Sequence, residues 1–520
     1  MLLRTGIGLL AGLVLSFAFE PLAVAYVMPL ALAGFALTTR GLPAHQAWLP
    51  GLAFGVGFYF VTAYWMRGSI GTDAWIGMCT AEALFYGALG GASAVLQRLR
   101  LWPVWLAAAW ATMEVLRSGW PFSGMPFGRL AFGVVDTPVA QALPYVGSTG
   151  LSFLLALLGF LLAWVVIARD RRDRLVAAGI LIAASAAISL PALAPFSLDE
   201  ERPATVAVVQ GDVPGPGNDI LYDHEQLTDN HVQATIDLAA DVDAGARPQP
   251  DFVLWPENST AVDPFRPGAV NSGLNAAAAA IGVPVLVGGL VDAGPDRVLN
   301  QGIVWDPETG AGDRYTKWHP VVYGEYIPFR GFMKSIGLEH HSQLARIPRD
   351  MLSGTRTSPL QVGGIGVADS ICFDVAYDDG IYAQVEEGAE MLTVQTSNAS
   401  FIFTDQIDQQ YAITRLRAIE TGRWLAVAST NGISGVIRPD GSVAAEAEPR
   451  TTTVLVEEVT LMSGVTPAVR LGAWPGRLFT VLTLVGLLLG TVTYRRGQDS
   501  PRRAVAPGGV ETRPGERQPA

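Results

Sequence analysis

The chain has 520 residues, half of them hydrophobic and only 16% charged, with a formal net charge of −12 and a mean hydropathy of +0.32. A water-soluble protein of this length carries more surface charge, and the acidic balance argues against a nucleic-acid partner, because phosphate contacts need Lys and Arg clustered on one face. The two cysteines, Cys79 in an apolar run and Cys372 in a polar region, give no disulfide framework.

Seven apolar runs fill the first part of the chain, at roughly 5–18, 21–38, 47–66, 74–96, 101–116, 147–168 and 175–193, and an eighth covers 471–494. A helix that crosses a bilayer needs about 20 apolar residues, with shorter spans tolerated. The runs therefore predict a bundle of about eight membrane helices: about seven within 1–196 and one within 468–495. The first run has a second reading. Arg4 precedes it and Ala23-Val24-Ala25 resembles a signal-peptide cleavage site, but apolar character continues past that point, which favours a retained helix.

Short cytoplasmic loops attract Lys and Arg. With the N-terminus inside, the inner loops hold Arg40, Arg98 and Arg100, then Arg169, Arg171, Arg172 and Arg174. The C-terminal tail holds Arg495, Arg496, Arg502 and Arg503, whereas the outer loops carry Arg67, Arg117 and Arg129. This pattern predicts cytoplasmic termini and places 197–467 outside the membrane. Residues 496–520, polar and rich in Pro and Arg, are expected to form a disordered cytoplasmic tail.

Between the fifth and sixth runs lies a segment, 117–146, rich in Gly, Pro and aromatics such as Trp120, Phe122 and Phe127. It reads either as an interfacial loop with an aromatic belt, or as a floor beneath the outer domain where lipid is admitted. Irregular backbone at membrane depth survives only where protein or water satisfies it.

The outer region alternates strands and helices. Apolar segments bounded by turn residues predict strands at 205–210, 252–255, 283–288, 301–305, 365–370, 391–396, 425–429 and 435–438. Helices are expected at 225–240, 270–281 and 406–421. The result is a mixed α/β layered domain over 197–467.

Three segments of this domain carry chemistry: Trp255-Pro256-Glu257-Asn258, Tyr315-Thr316-Lys317-Trp318-His319 and Ile371-Cys372-Phe373-Asp374. Each sets a reactive side chain near a strand end, where α/β folds build their sites. Singly, each has a bland explanation: a turn carboxylate, a solvated amine, a small core thiol. The chain has only two lysines, Lys317 and Lys334, a scarcity that genomic preference for Arg codons explains. Together the three groups form a kit for acyl transfer. A thiol needs a base to become the nucleophilic thiolate, and the tetrahedral intermediate needs a positive group or N–H donors for its oxyanion. Glu257 suits the first task and Lys317 the second.

The order Glu, Lys, Cys in these surroundings resembles the nitrilase superfamily, and the flanking membrane helices make the chain similar to its membrane-embedded branch, the apolipoprotein N-acyltransferases. The likeness spans most of the chain. It includes Phe17-Ala18-Phe19-Glu20-Pro21, Glu114-Val115-Leu116-Arg117 through Pro126-Phe127, and Gly324-Glu325-Tyr326-Ile327-Pro328. It also includes 415–423 with Thr430-Asn431-Gly432-Ile433-Ser434. The resemblance implies an α-β-β-α sandwich for the outer domain. It implies Glu257 as general base, Lys317 as oxyanion stabiliser and Cys372 as nucleophile, with Glu325, Phe373 and Asp374 in support. Where the family commonly has Tyr then Glu after the cysteine, this chain has Phe373 and Asp374: a hydroxyl is lost and the acid is shorter. Asn398-Ala399-Ser400-Phe401 also departs from the family form, and 211–223 lacks the family's loop tryptophan.

The resemblance further implies ping-pong transfer of an acyl chain from a phospholipid, through a Cys372 thioester, to the N-terminal amine of an S-diacylglyceryl-cysteine on an apolipoprotein. That is the last step of lipoprotein maturation, at the bacterial cytoplasmic membrane. No cofactor or metal is expected, since the six His show no ligand spacing and His340-His341 reads as surface, and nothing demands more than a monomer. The stretch 326–336, with Ile327, Phe329, Phe332, Met333 and Ile336, reads as an interfacial lid or as a small core under the loop. Two rival functions stand beside transfer. One is a membrane-tethered amidase or hydrolase with the same triad. The other is a transporter, to which the apolar-run acids Glu20, Glu82 and Glu114 would be relevant.

Overall fold

The computed structural model describes residues 1–338, 345 and 347–499. His340, His341 and the tail from 500 onward lie outside the described residues. Helices occupy the predicted apolar runs: α1 (Leu2–Ser16), α2 (Met28–Thr39), α3 (Ala44–Thr62), the single turn α4 (Met66–Ser69), α5 (Thr72–Leu96), α6 (Trp102–Gly119), α7 (Leu143–Ile167) and α8 (Arg171–Ser189). By length and composition four spans suffice to cross a membrane: Thr72–Leu96, Pro138–Ile167, Arg171–Leu193 and Trp474–Thr493. Helices α1 and α2 are apolar but shorter. In α8 only 11% of the apolar window is buried, so Leu175 and Ile182 lie bare. Such a surface is stable only against lipid or another apolar partner. α1 packs tightly on α3: a methyl group on Gly12 would lie 1.9 Å from the Phe54 carbonyl oxygen.

The outer domain contains β1 (Asp199–Gln210), α9 (His224–Asp243), β2 (Phe252–Leu254), α10 (Ala269–Ile281), β3 (Val285–Asp292), β4 (Arg297–Asp306), β5 (Gly310–Thr316), the short α11 (Arg330–Ser335) and β6 (Asp350–Met351). It continues through β7 (Leu360–Val362), β8 (Ile365–Ile371), α12 (Asp379–Glu386), β9 (Met391–Thr396), α13 (Gln406–Thr421), β10 (Leu425–Ser429), β11 (Gly435–Ile437), β12 (Val443–Glu446) and β13 (Thr453–Ser463). After α14 (Pro467–Leu471) the chain enters α15 (Trp474–Asp499). That helix runs into the segment expected to begin a disordered tail at 496.

The strands form two sheets, ordered β13-β1-β2-β3-β4-β5 with β6 beside β4, and β12-β11-β10-β9-β8-β7. Strand alternation sorts the side chains. Val206 and Val208 of β1 face the second sheet, in a core with Leu254, Val367, Met391 and Ala426. Ala207 and Val209 face outward, in a core with Leu238 of α9 and Leu274 of α10. Ile413 and Leu416 of α13 share a core with Leu143, Phe132 and the bundle. The layers are therefore helix, sheet, sheet, helix, and the second helical layer rests on the N-terminal helical bundle.

β5 (GAGDRYT), β6, β7, β12 and β13 were not predicted. β5 is largely exposed and β13 mostly half-buried, so neither shows the apolar run that marks a central strand. The segment 117–146 is no exposed loop. Met125, Phe127, Leu130, Phe132 and Val134 are buried, and the segment fills the joint between bundle and outer domain. Arg117 pairs with Glu82 at 3.6 Å and donates to the carbonyls of Met125 (2.6 Å) and Phe127 (2.9 Å). Glu114 accepts from Trp110 Nε1 (2.9 Å) and from the Leu130 amide (3.0 Å). These two acids thus anchor the joint, which removes the ground for a transport pathway through them.

Candidate active site

The three segments singled out by sequence meet where the facing sheets end. Glu257 follows β2, Lys317 follows β5, and Cys372 follows β8 directly. Cys372 holds a left-handed backbone, φ 53°, and opens a 3-10 turn, Cys372–Ala376. Left-handed backbone is costly for a residue with a Cβ and persists where surroundings over-determine it, often at functional sites. Asn258, Tyr323 and Asn398, all around the same cavity, share it (φ 58°, 57° and 53°).

Glu257 is nearly fully buried. Its Oε1 accepts from Lys317 Nζ at 3.2 Å and from Asn300 Nδ2 at 2.7 Å. Its Oε2 accepts from the Ser397 amide at 2.9 Å. Lys317 Nζ also donates to Glu325 Oε1 at 2.6 Å, and Glu325 Oε2 accepts from the Val321 amide at 2.8 Å. Burial opposes the Lys317 charge, but Glu257 and Glu325 outweigh it and hold the ammonium well above its ordinary pKa. For Glu325, burial wins over Lys317 and the pKa rises. Burial, with Glu257 adding, pushes the Cys372 thiol up to about 12, against the pull of Lys317 and a hydrogen bond with Thr396. Lys317 alone thus does not produce a resting thiolate; ionisation has to accompany attack, with a base taking the proton.

Asp374 reaches further than its length suggested. Its carboxylate accepts from Tyr315 Oη (3.0 Å) and from the amides of Trp318 (3.0 Å) and His319 (2.7 Å), gripping the segment that carries Lys317 on both sides. Burial raises its pKa, with those amides, Lys317 and His319 opposing. Phe373 points the other way, stacked on Phe127 with ring centroids 5.5 Å apart and planes 7° from parallel.

A cavity of about 360 Å³ opens on Cys372, Glu257 and Glu325, and its far wall is the bundle: Trp65, Met66, Met78 and Phe127. Lys317 does not line the cavity; it is fully buried behind Glu257 and Glu325, to which it donates. A second, mainly apolar cavity of about 470 Å³ lies between α5 and Pro121–Gly124. The two share Met66, Ile70, Met78, Gly124, Val322 and Tyr323. Phe329 and Phe332, in the stretch read as lid or small core, are 73% and 63% exposed, so they form no core beneath the loop, while Ile327 is buried.

Sequence reasoning missed Asn300 and the Ser397 amide, both of which orient Glu257. Asn300 had a signal: with Gln301 it places a carboxamide between the apolar residues Leu299 and Ile303 of β4, and it is fully buried, and buried amides need partners. Ser397 acts through its backbone, which leaves no trace in composition.

Comparison with known proteins matches this architecture in two blocks. Residues 11–161 match the "Apolipoprotein N-acyltransferase N-terminal domain" and residues 205–465 the "Carbon-nitrogen hydrolase" family. An apolipoprotein N-acyltransferase of Mycolicibacterium smegmatis is 33% identical, over 94% of this chain and 85% of the relative. One from Methylococcus capsulatus is 30% identical, over 94% of each. A solved amidase structure from Nesterenkonia sp. covers 52% of this chain and 94% of its own, at 19% identity and a TM-score of 0.37, too low to add to those matches. With a relative this similar over nearly its whole length, the chain belongs to the apolipoprotein N-acyltransferase family.

Proposed function

We propose that the protein transfers an acyl chain from a phospholipid to the N-terminal amine of S-diacylglyceryl-cysteine on an apolipoprotein, through a Cys372 thioester. The observation that carries this reading is the cavity in which Cys372, Glu257 and Glu325 face a wall supplied by the membrane bundle. A soluble hydrolase has no need of that wall, and the apolar cavity beside it, which shares six lining residues, suits an acyl chain.

Glu257 takes the thiol proton as Cys372 Sγ attacks the ester carbonyl carbon. The carbonyl electrons move to oxygen, and the buried Lys317 charge stabilises that oxyanion. Collapse breaks the ester C–O bond, Glu257 returns the proton to the departing oxygen, and lysophospholipid leaves a thioester behind. The acceptor amine then attacks the thioester, Glu257 takes its proton, and Cys372 is released with that proton restored. Glu325 and Asp374 position Lys317, and Phe373 packs the nucleophile's turn on Phe127. Two lipid substrates that share one site in turn give ping-pong kinetics.

In this reading about eight helices, α1, α2, α3, α5, α6, α7, α8 and α15, cross the bacterial cytoplasmic membrane, both termini are cytoplasmic, and 197–467 is an extracytoplasmic domain held between the bundle (1–196) and the last helix (468–495). The arginine distribution supports that orientation. The exposed Phe329 and Phe332 support an interfacial lid over 326–336. A monomer suffices, because the described site draws on one chain.

The deciding measurement is the intact mass of the purified protein after incubation with phospholipid, beside Cys372→Ala. A gain of one acyl chain on the parent alone, discharged by a diacylglyceryl peptide amine, is expected. Discharge by water at a rate the peptide does not change would make the protein a hydrolase and overturn the reading.

A further inference from the structure

Asp369 lies in β8, three residues before the nucleophile, and is completely buried between the sheets. Its Oδ1 accepts from Thr393 Oγ1 at 2.8 Å. Among the described residues its Oδ2 has no hydrogen-bond partner and no cation pairs with it. Gln395, in the next strand, has its orientation fixed: Nε2 donates to the carbonyls of Trp255 (2.7 Å) and Leu286 (3.3 Å). Its Oε1 is therefore turned away from them, and it too is buried without a partner. Both orphaned oxygens face the space beside the Gly302 Cα. A methyl group built on Gly302 of β4 would sit 2.2 Å from Asp369 Oδ2 and 2.6 Å from Gln395 Oε1. Two acceptors driven together in a dry interior repel unless one carries a proton.

We propose that Asp369 is an uncharged acid whose hydroxyl donates to Gln395 Oε1, and that this bond latches the Glu257 strand end to the Cys372 strand. The chain of contacts runs from β8 through Asp369 to Gln395, then to the Trp255 carbonyl, two residues before Glu257. Asp369 is a positioning residue: it sets the spacing between base and nucleophile without touching substrate. Its role rests on the thioester reading above, but its protonation does not.

The groups around the acid favour the neutral form. Burial raises it to about 8 and the Asp374 carboxylate adds to the shift, while Thr393 and the Ser370 amide oppose it. Tyr315 of β5 is the other titratable neighbour, itself pushed up chiefly by burial. Gln384 of α12 is neutral and meets Asp369 only at its backbone, accepting from its N–H (3.0 Å) and donating to its carbonyl (2.9 Å). A folded-state pKa above the unfolded one makes stability fall with pH until the folded pKa is passed.

The test uses the full-length protein in detergent on a Cys372→Ala background, so catalysis plays no part. Asp369→Asn, which carries a permanent N–H donor, should gain in Tm relative to its parent as pH rises from about 5 to about 8, then keep a constant lead. Infrared difference spectra between the two should show a carboxylic-acid carbonyl band that disappears above that range. A pH-independent Tm difference with no acid band would mean an ionised Asp369 and overturn the latch. Should the Asn variant fail to fold, Thr393→Val removes a donor that favours the charged form, so the band should persist to higher pH; an unmoved midpoint would again overturn it. With Cys372 restored, thioester formation should decline through the same pH range in the parent and not in Asp369→Asn. Equal profiles would leave a protonated acid with no positioning role. Absence of any acyl adduct in both would count against the thioester and leave the spectral result standing.

Discussion

Glu257 and Lys317 are each held by more than one partner, which makes their removal specific. Glu257 has Lys317 and Asn300 on one oxygen and the Ser397 amide on the other. Glu257→Gln keeps the shape and loses the base. If Glu257 is the base as proposed, thioester formation on Cys372 should slow by about 10²–10⁴-fold, the usual weight of a positioned general base, and Tm should fall, because buried Lys317 loses one of its two counter-charges; time-resolved intact mass measures the first and a thermal melt the second. Asp374 was read from sequence as a shortened acid, yet it serves three donors. Asp374→Ala strands Tyr315 Oη and two amides. Each stranded buried donor costs about 1–3 kcal/mol, so Tm should fall, and the slackened Lys317 segment should slow adduct formation by about tenfold or more.

Between elements, one buried charge cluster joins bundle and outer domain. Arg417 of α13 pairs with Asp378 at 2.9 Å and with Glu420, and donates through Nε to the Val375 carbonyl at 2.7 Å, inside the nucleophile's own turn. Arg129 of the 117–146 segment bonds Asp378 at 3.0 Å. Glu420 accepts from the Ser148 amide (2.6 Å) and hydroxyl (2.7 Å) at the bend in α7. Arg417→Met leaves Glu420 and Asp378 short of their cation. Breaking a buried pair from one side costs about 3–5 kcal/mol, visible as a lowered Tm, and adduct formation should fall with it as the Val375 turn loosens. The same cluster sets an acid limit. Burial alone would raise Asp378, but Arg129 and Arg417 hold it down to about 2. A depressed folded pKa gives stability that is present above the ordinary carboxylate range and lost as pH falls toward about 2, so Arg417→Met should narrow the gap in Tm between neutral and acidic conditions. From sequence, Arg117 and Arg129 were outer-loop charges; the fold uses both as internal ties.

For the whole molecule, the two cavities share Met66, Ile70, Met78, Gly124, Val322 and Tyr323, which supports the proposed approach of a lipid donor to Cys372. Phe329 lies beside the apolar cavity, edge-on to its lining residue Phe122 at 5.8 Å, and Phe332 is exposed on the short helix α11 that follows it. Replacing both with Ser should lower turnover of bilayer phospholipid several-fold and leave Tm and the rate with a short-chain, water-soluble acyl donor unchanged. Equal rates for parent and double variant with the bilayer donor would remove the lid.

The apolar runs and the strand cores were legible because hydrophobic burial is written in local periodicity: α13 was predicted at 406–421 and found at Gln406–Thr421. The nitrilase-like order of Glu257, Lys317 and Cys372 was legible because their chemistry is scarce and their neighbours distinctive. What only the tertiary structure decided is how charges find partners. Nothing near Arg417 in the chain announces Asp378, and nothing near Asp369 announces that Gln395 and the bare Cα of Gly302 meet it. Those pairings join residues far apart in sequence, and their energies come from desolvation, which exists only once the sheets and the bundle have closed around them.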